Sequence, residues 1–105
     1  MNKIGFSGTR HGMTAGQQQA FRQWIRERQP HEFHHGDCIG ADAQAHDIVR
    51  EVAPACRIVL HPPINSSKRA FCHADIELLP HAYLRRNKNI VLATSELVAT
   101  PFEHT

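Results

Sequence analysis

Short apolar segments alternate with helix-like segments along this chain, and this alternation restricts its fold more than any other feature. Each apolar segment is closely followed by a glycine or a proline, and the segments span residues 3–7, 32–35, 56–60 and 96–100. Strands that alternate with helices form parallel sheets with right-handed crossovers. The sequence therefore predicts the doubly wound α/β class, in the order β-α-β-α-β-loop-α-β.

The first two helical segments have clear start and stop signals. Thr14 and Gln17 fit a capping box, and the apolar spacing after them ends before Pro30. The second segment carries an apolar stripe from Ala41 to Val52 and ends before Pro54. We expect each helix to bury one face against the sheet.

The stretch from His61 to Pro80 is long for a connection in a compact domain. It opens with two prolines and has a weak helical signal around residues 70–79. Connections of this length often form functional flaps. We name residues 61–80 the connecting segment and predict that it reaches the edge of the sheet where ligands bind.

Composition limits the class of protein. At 105 residues with 41% apolar positions, the chain is expected to form one domain, residues 1–105, around one core. No apolar run reaches the roughly 18 residues of a membrane span, and no signal peptide is evident, so we expect a cytoplasmic protein. Three cysteines without C-x-x-C spacing indicate reduced thiols. A net charge of +2 does not demand nucleic acid.

The loop after the first strand offers groups suited to a phosphate. Gly8 allows close backbone approach, Thr9 supplies a hydroxyl, and Arg10 supplies a planar set of donors. The G-x-G-x-x-G fingerprint is absent. An ordinary turn with an exposed arginine explains the same residues equally well.

The segment FHHGDCIGADAQAHDIV, residues 33–49, raises the question of a metal site. His34 and His35 are neighbours on a strand, so their side chains leave opposite faces and cannot easily share one ion. We therefore predict no metal site. Gly36 ends the strand and Gly40 opens the helix, which favours phosphate binding at the helix start. Asp42 either caps the helix or accepts a hydrogen bond from a ribose hydroxyl.

The third helical segment, residues 81–94, places a polar residue on an apolar stripe. Asn87 lies between the stripe residues Tyr83, Leu84, Ile90 and Val91 and is expected to face inward, with Arg86 at the edge of the stripe. A buried amide needs a hydrogen-bond partner, either backbone or a ligand. Arg85 and Lys88 are expected to be ordinary surface charges.

Together, FSGTR, HHGDCIGADAQAHDIV, YLRRNKNIV and ELVATP resemble the SLOG superfamily. That Rossmann-like group includes DNA-processing protein A and the LOG-type nucleotide hydrolases, and the pattern is most similar to its small YspA/YpsA-like branch. The resemblance implies a Rossmann-like parallel sheet flanked by helices and a pocket for a nucleotide-type ligand. The pocket residues it implies are Gly8, Thr9, Arg10, Gly36, Gly40, Asp42, Arg86 and Asn87. It also implies a homodimer.

The chain departs from the family pattern after its last strand. The glycine-threonine motif and helix that normally follow are missing before Thr105, so we expect a fold truncated after the fourth strand. The P-G-G-x-G-T-x-x-E segment of the hydrolytic LOG members, with its catalytic glutamate, is also missing. The first hypothesis is therefore a cytoplasmic sensor that binds a nucleotide or an ADP-ribose-like ligand.

Two alternatives stay open. One is an N-glycosidic nucleotide hydrolase, in which Asp37 or Asp42 would act as general acid or base. The other is a module that binds single-stranded DNA, which the weak positive charge and the few aromatic residues disfavour.

Overall fold

The computed structural model describes residues 2–101, apart from the side chain of Tyr83, and forms one parallel sheet flanked by helices. The five strands are β1 Lys3–Gly8, β2 Glu32–His35, β3 Arg57–Leu60, β4 Ile76–Glu77 and β5 Glu96–Thr100. The helices are α1 Ala15–Arg28, α2 Ala41–Val52 and α3 Tyr83–Ala93, and a short 3-10 turn covers Ser66–Lys68. The predicted α/β class with a parallel sheet is confirmed.

The strand order is β4-β3-β2-β1-β5, and every neighbouring pair is parallel. The chain adds strands in one direction from β1 to β4 and then returns across the sheet to place β5 beside β1. The order therefore reverses at β1, and ligands of such sheets bind outside the carboxyl ends of the strands near that reversal.

Two sequence expectations about the connecting segment and strand count are corrected. The segment contains the two-residue strand β4 rather than a helix over 70–79, so the sheet has five strands, and ELVAT is the fifth. β4 pairs with the end of β3, and the Asp75 carboxylate accepts the Ile58 N–H at 2.8 Å. These sheet contacts determine the local structure, and they leave no periodic signal in the sequence.

The face of the sheet covered by α1 and α2 holds the hydrophobic core. Phe6, Phe21 and Phe33 lie with ring centroids 5.3 to 6.0 Å apart. The α1 capping box is confirmed, since Thr14 Oγ1 accepts the Gln17 N–H and the Gln17 side chain accepts the Thr14 N–H. None of the helices in residues 2–101 is long and apolar enough to cross a membrane.

The opposite face is covered by α3, whose orientation differs from the prediction. Ile90 is buried as expected, but Leu84 is 80% exposed and Val91 52% exposed, while Arg86 is buried. The inward face is therefore centred on Arg86 and Ile90, one helical turn apart. The side chain of Tyr83, also assigned to the stripe, lies outside the described part of the structure.

Candidate functional site

A cavity of about 900 Å³ lies at the carboxyl edge of the sheet. Its walls come from the loop after β1, the turn after β2, the start of the connecting segment and the first half of α3. Of the eight residues predicted for the site, six line this cavity: Gly8, Thr9, Arg10, Asp42, Arg86 and Asn87. Gly36 and Gly40 lie behind the lining and shape it.

The loop after β1 is held by its own threonine. Thr9 Oγ1 accepts the His11 N–H at 3.2 Å, and the Thr9 carbonyl accepts the Ala41 N–H at the start of α2 at 2.9 Å. The threonine therefore links the β1 loop to α2. Arg10 is exposed, and its guanidinium is available to a ligand at the cavity.

Gly40 allows the two loops to touch. Its φ is +94°, in the region that side chains rarely adopt, and a Cβ there would lie 2.4 Å from the Arg10 carbonyl oxygen. Gly40 is thus needed for the backbone approach that joins the β1 loop to the turn after β2. Its predicted role as the helix opener is supported, since it is the N-cap residue of α2.

Gly36 leaves the space that the Arg86 side chain occupies. A Cβ at Gly36 would lie 1.4 Å from Arg86 Nη1, so any other residue would displace the guanidinium. Arg86 is only 5% exposed, and its Nη1 lies 3.9 Å from Asp42 Oδ2. The same carboxylate oxygen accepts the Cys38 N–H at 3.1 Å. A glycine, an arginine and an aspartate from three elements therefore form one buried group.

The charged residues that line the cavity favour an anionic ligand. Burial raises the pKa of Asp42 to about 6, although the Cys38 N–H and the Arg86 guanidinium act in the opposite direction. Arg10, Lys68 and Arg86 line the cavity as cations, whereas Asp42 is the carboxylate among its described lining residues. At neutral pH the lining therefore has an excess of positive charge.

Asn87 is half-buried and lines the cavity, but it is less deeply buried than its neighbour. The sequence placed Asn87 inward and Arg86 at the edge of the stripe, and the structure reverses this order of burial. Arg85 and Lys88 are exposed, as predicted. The most deeply buried α3 side chain on the cavity lining is thus the charged Arg86.

Asp37, one of the two carboxylates considered for acid or base chemistry, is not among the cavity-lining residues. It is fully buried, and its Oδ2 accepts a hydrogen bond from Arg69 Nε at 2.7 Å. Asp42 is therefore the better placed of the two for contact with a ligand.

His34 and His35 project to opposite faces of the sheet, as strand alternation predicts. His34 contacts His61 at 2.8 Å and Glu32 at 2.9 Å, while the His35 ring lies against His46. The prediction that the two histidines cannot share an ion is confirmed by this divergence.

The structure brings together one set of possible metal ligands that the sequence did not reveal. Ligand atoms of His35, His46 and Cys72 lie within 4.8 Å of one another. However, His35 Nδ1 accepts the Asp37 N–H at 2.9 Å, so the ring proton is on Nε2, the atom 3.0 Å from His46 Nδ1. Burial raises the pKa of the Cys72 thiol to about 12. His35 and His46 therefore form a hydrogen-bonded pair, and the absence of a metal stays a prediction.

Several lining residues were missed by the sequence. Cys38 and Ile39 follow β2, and Ile64, Ser67 and Lys68 belong to the connecting segment. The length of that segment correctly indicated that it borders the site. Which of its side chains face the cavity depends on tertiary contacts, and no local pattern could have shown it.

Two solved structures have a similar fold. TM1055, a structural-genomics target, matches 94% of this chain with a TM-score of 0.67 and 11% sequence identity. The Moco carrier protein from Chlamydomonas reinhardtii matches 97% of this chain with a TM-score of 0.66 and 18% identity. This chain spans 60% of the first protein and 63% of the second.

No protein-family model matches the sequence, and neither does any curated protein. Because both structural likenesses have low sequence identity, they show the fold alone. The Rossmann-like sheet flanked by helices is confirmed, while the SLOG superfamily, its YspA/YpsA-like branch and the homodimer stay predictions.

Proposed function

We propose that this chain binds a nucleotide or nucleotide-derived molecule, such as ADP-ribose or a nucleoside phosphate, in the cavity at the carboxyl edge of the sheet. The observation that carries the proposal is the buried Arg86 guanidinium on the wall of that cavity. A planar guanidinium donates paired hydrogen bonds to phosphate, and its burial strengthens their electrostatic attraction. A cavity of about 900 Å³ also lies within the usual range for small-molecule sites.

The other lining groups supply the remaining parts of such a ligand's contacts. Ile39 and Ile64 are exposed aliphatic side chains on the lining, where they offer an apolar surface to a base. Arg10 and Lys68 add positive charge for a phosphate. Asp42 contributes a carboxylate for a ribose hydroxyl, although its Oδ2 already accepts the Cys38 N–H.

The fold comparison supports a small-molecule ligand in general terms. One of the two similar structures is a carrier of Moco, so a protein with this fold binds a small molecule. The identity of that ligand is not transferred to this chain, because 18% identity supports the fold and no shared binding residues.

The test is a thermal-shift panel with AMP, ADP, ADP-ribose and NAD on the wild-type protein and on Arg86→Met. A ligand at about 100 times its Kd adds ~2.7 kcal/mol and should raise the wild-type Tm by roughly 10 °C. Arg86→Met should lose the shift. Arg85→Met is the matched control, since Arg85 is the exposed neighbour on the same helix. No shift with any compound, or an undiminished shift in Arg86→Met, would contradict the proposal.

A second function, N-glycosidic hydrolysis, is favoured by one specific observation. Asp42 lines the cavity, and burial raises its pKa to about 6, close to the pH at which a general acid or base is effective. Incubation with nucleoside monophosphates and chromatography of the released free base test this function. Release by the wild type and its loss in Asp42→Asn would support it, whereas binding without release would leave the sensor function.

A further inference from the structure

We propose that the buried Asp37–Arg69 ion pair is a positioning element for the ligand site. It holds the wall segment, residues 63–68, in the position where its side chains face the cavity. This inference rests on the proposed function only for its effect on ligand affinity. The claim that the pair holds the wall segment stands on geometry alone.

Asp37 uses its side chain and its backbone to hold the chain that follows the wall segment. Oδ2 accepts a hydrogen bond from Arg69 Nε at 2.7 Å, and Oδ1 accepts the Cys72 N–H at 2.9 Å. The Asp37 carbonyl accepts the Ala70 N–H at 2.8 Å. Since Asp37 is fully buried, water does not compete for these bonds. One residue of the turn after β2 thus binds three residues of the connecting segment.

The contacts continue directly into the wall segment. The Ile39 N–H donates to the Lys68 carbonyl at 3.1 Å, and Cys38 forms an antiparallel bridge with Arg69. Lys68 and Ile39 both line the cavity. The Lys68 backbone is therefore held by its own hydrogen bond to Ile39 and by the contacts of Arg69, the residue that follows it.

Arg69 also extends to the edge of the sheet. Its Nη2 lies 3.0 Å from Glu77 Oε1 in β4, and its guanidinium carbon lies 4.4 Å from the ring centroid of Phe71. The Arg69 side chain is 11% exposed, whereas that of Glu77 is 56% exposed. The inner contact to Asp37 is thus protected from solvent and the outer contact is not.

The backbone of Asp37 is consistent with this role. Its φ is +55°, an uncommon conformation that an aspartate tolerates better than most residues, and its N–H donates to His35 Nδ1 at 2.9 Å. Both carboxylate oxygens have partners within the protein, and Asp37 is absent from the cavity lining. Asp37 therefore acts through the wall segment rather than on the ligand.

The experiment compares Arg69→Met, Arg69→Lys and the control Glu77→Gln with the wild type. Glu77→Gln removes only the outer ion pair. The first measurement is hydrogen–deuterium exchange without ligand. Arg69→Met should increase exchange at least about 10-fold at the Ala70 and Cys72 amides and at the Ile39 amide, which donates to the Lys68 carbonyl of the wall segment. The amides of α1 should be unchanged, because α1 has no part in these contacts. The exchange rates of Arg69→Lys should lie between those of Arg69→Met and the wild type, and those of Glu77→Gln should match the wild type.

The second measurement is the Kd for ADP-ribose and AMP by calorimetry. Arg69→Met should weaken binding roughly 10-fold, which is the size of effect seen at metal sites when a residue that holds a ligand in place is lost. Arg69→Lys should recover part of this affinity. Unchanged exchange at Ile39, Ala70 and Cys72 would overturn the inference. So would increased exchange with unchanged affinity. If the wild type binds neither compound, the proposed function fails on these ligands, and the exchange result alone decides whether the pair holds the wall segment.

If Arg69→Met does not fold, hydrogen–deuterium exchange and ligand affinity are both measured on Arg69→Lys instead. It keeps the positive charge opposite Asp37 but lacks the planar fork of donors. Exchange and affinity identical to the wild type in a folded Arg69→Lys would then overturn the inference.

Discussion

The two faces of the sheet are built from different chemistry. On the face covered by α1 and α2, β2 presents Phe33 to a cluster of aromatic and aliphatic side chains. On the face covered by α3, the same strand presents His34, which connects Glu32 to His61. Two neighbouring residues of one strand thus have different surroundings. Phe33 belongs to the apolar core, and His34 belongs to a series of hydrogen-bonded polar side chains.

This difference separates the residues that stabilise the fold from several residues of the proposed site. Burial of apolar surface stabilises the fold in proportion to its area, and the α1/α2 face has most of that burial. The α3 face holds polar groups that need partners, including Arg86 above Gly36, while Leu84 and Leu92 on α3 remain exposed. The described side chains that α3 buries most deeply are thus Arg86 and Ile90.

The strongest test of this separation compares the unfolding free energies of Phe33→Ala and Leu84→Ala. Phe33 is fully buried, so its truncation should cost about 3–5 kcal/mol of unfolding free energy. Leu84 is 80% exposed, and its truncation should change that free energy by less than about 0.5 kcal/mol. Urea denaturation followed by circular dichroism measures both. Equal losses would mean that α3 packs as tightly as the other helices.

A second test concerns the space beside Gly36 that the Arg86 guanidinium occupies. Gly36→Ala places a methyl group where Arg86 Nη1 lies, and the resulting overpacking should cost about 1–3 kcal/mol. The same change should abolish the thermal shift by nucleotides, because the guanidinium must move.

Gly16→Ala is the matched control for that substitution. A Cβ at Gly16 meets only Thr14 Oγ1, at 3.9 Å, and the position is in a helix, so this variant should be neutral or slightly stabilising. Retained ligand binding in a folded Gly36→Ala would contradict the proposed role of Arg86.

Acid should destabilise the fold through buried histidines on both faces. Burial lowers the pKa of His61 to about 4, and burial also lowers the pKa of His35. A histidine whose folded pKa lies below its unfolded value of about 6.5 binds its proton in the unfolded state first. The histidine contribution to stability is therefore complete above pH 6.5 and falls as pH drops from there toward 4. The buried Asp42 carboxyl acts in the opposite direction over the same range, because its pKa is raised to about 6 in the folded protein.

The expected loss from His61 alone is about 1 kcal/mol between pH 7 and pH 5.5. Thermal denaturation across that range measures it. His61→Gln keeps an N–H donor for His34 but cannot titrate, so between these two pH values it should lose about 1 kcal/mol less stability than the wild type. An identical pH dependence in the variant and the wild type would show that His61 does not contribute to it.

The parts of the fold that local sequence determines were predicted well. The bounds of β2 and β5 match the apolar segments, and the capping box places the start of α1. β4 was missed because two residues show no periodicity, and this strand depends on pairing with Val59 and Leu60. Local signals identify elements, whereas pairing partners decide whether a short segment becomes a strand.

The site shows the same limit more sharply. The sequence correctly placed Gly36 at the end of β2 and Asp42 in the first turn of α2, but it gave the wrong inward face for α3. Helical periodicity offered a stripe through Leu84 and Val91, and the structure instead buries Arg86. The reason lies outside the helix, because the space at Gly36 and the nearby Asp42 carboxylate favour burial of the guanidinium.

The smallest expected effects concern the starts of α1 and α3, which lie on opposite faces of the sheet. α1 has the full capping box of Thr14 and Gln17, whereas the N-cap of α3 is Ala82, which has no side-chain cap. Thr14→Ala should therefore cost about 1 kcal/mol, and Ala82→Ser should add about 0.5–1 kcal/mol, both measured by urea denaturation without ligand. Because α3 determines the position of Arg86, a gain from Ala82→Ser should also reduce exchange of the α3 amides. Stabilisation without that reduction would show that fraying of α3 does not limit the order of the site.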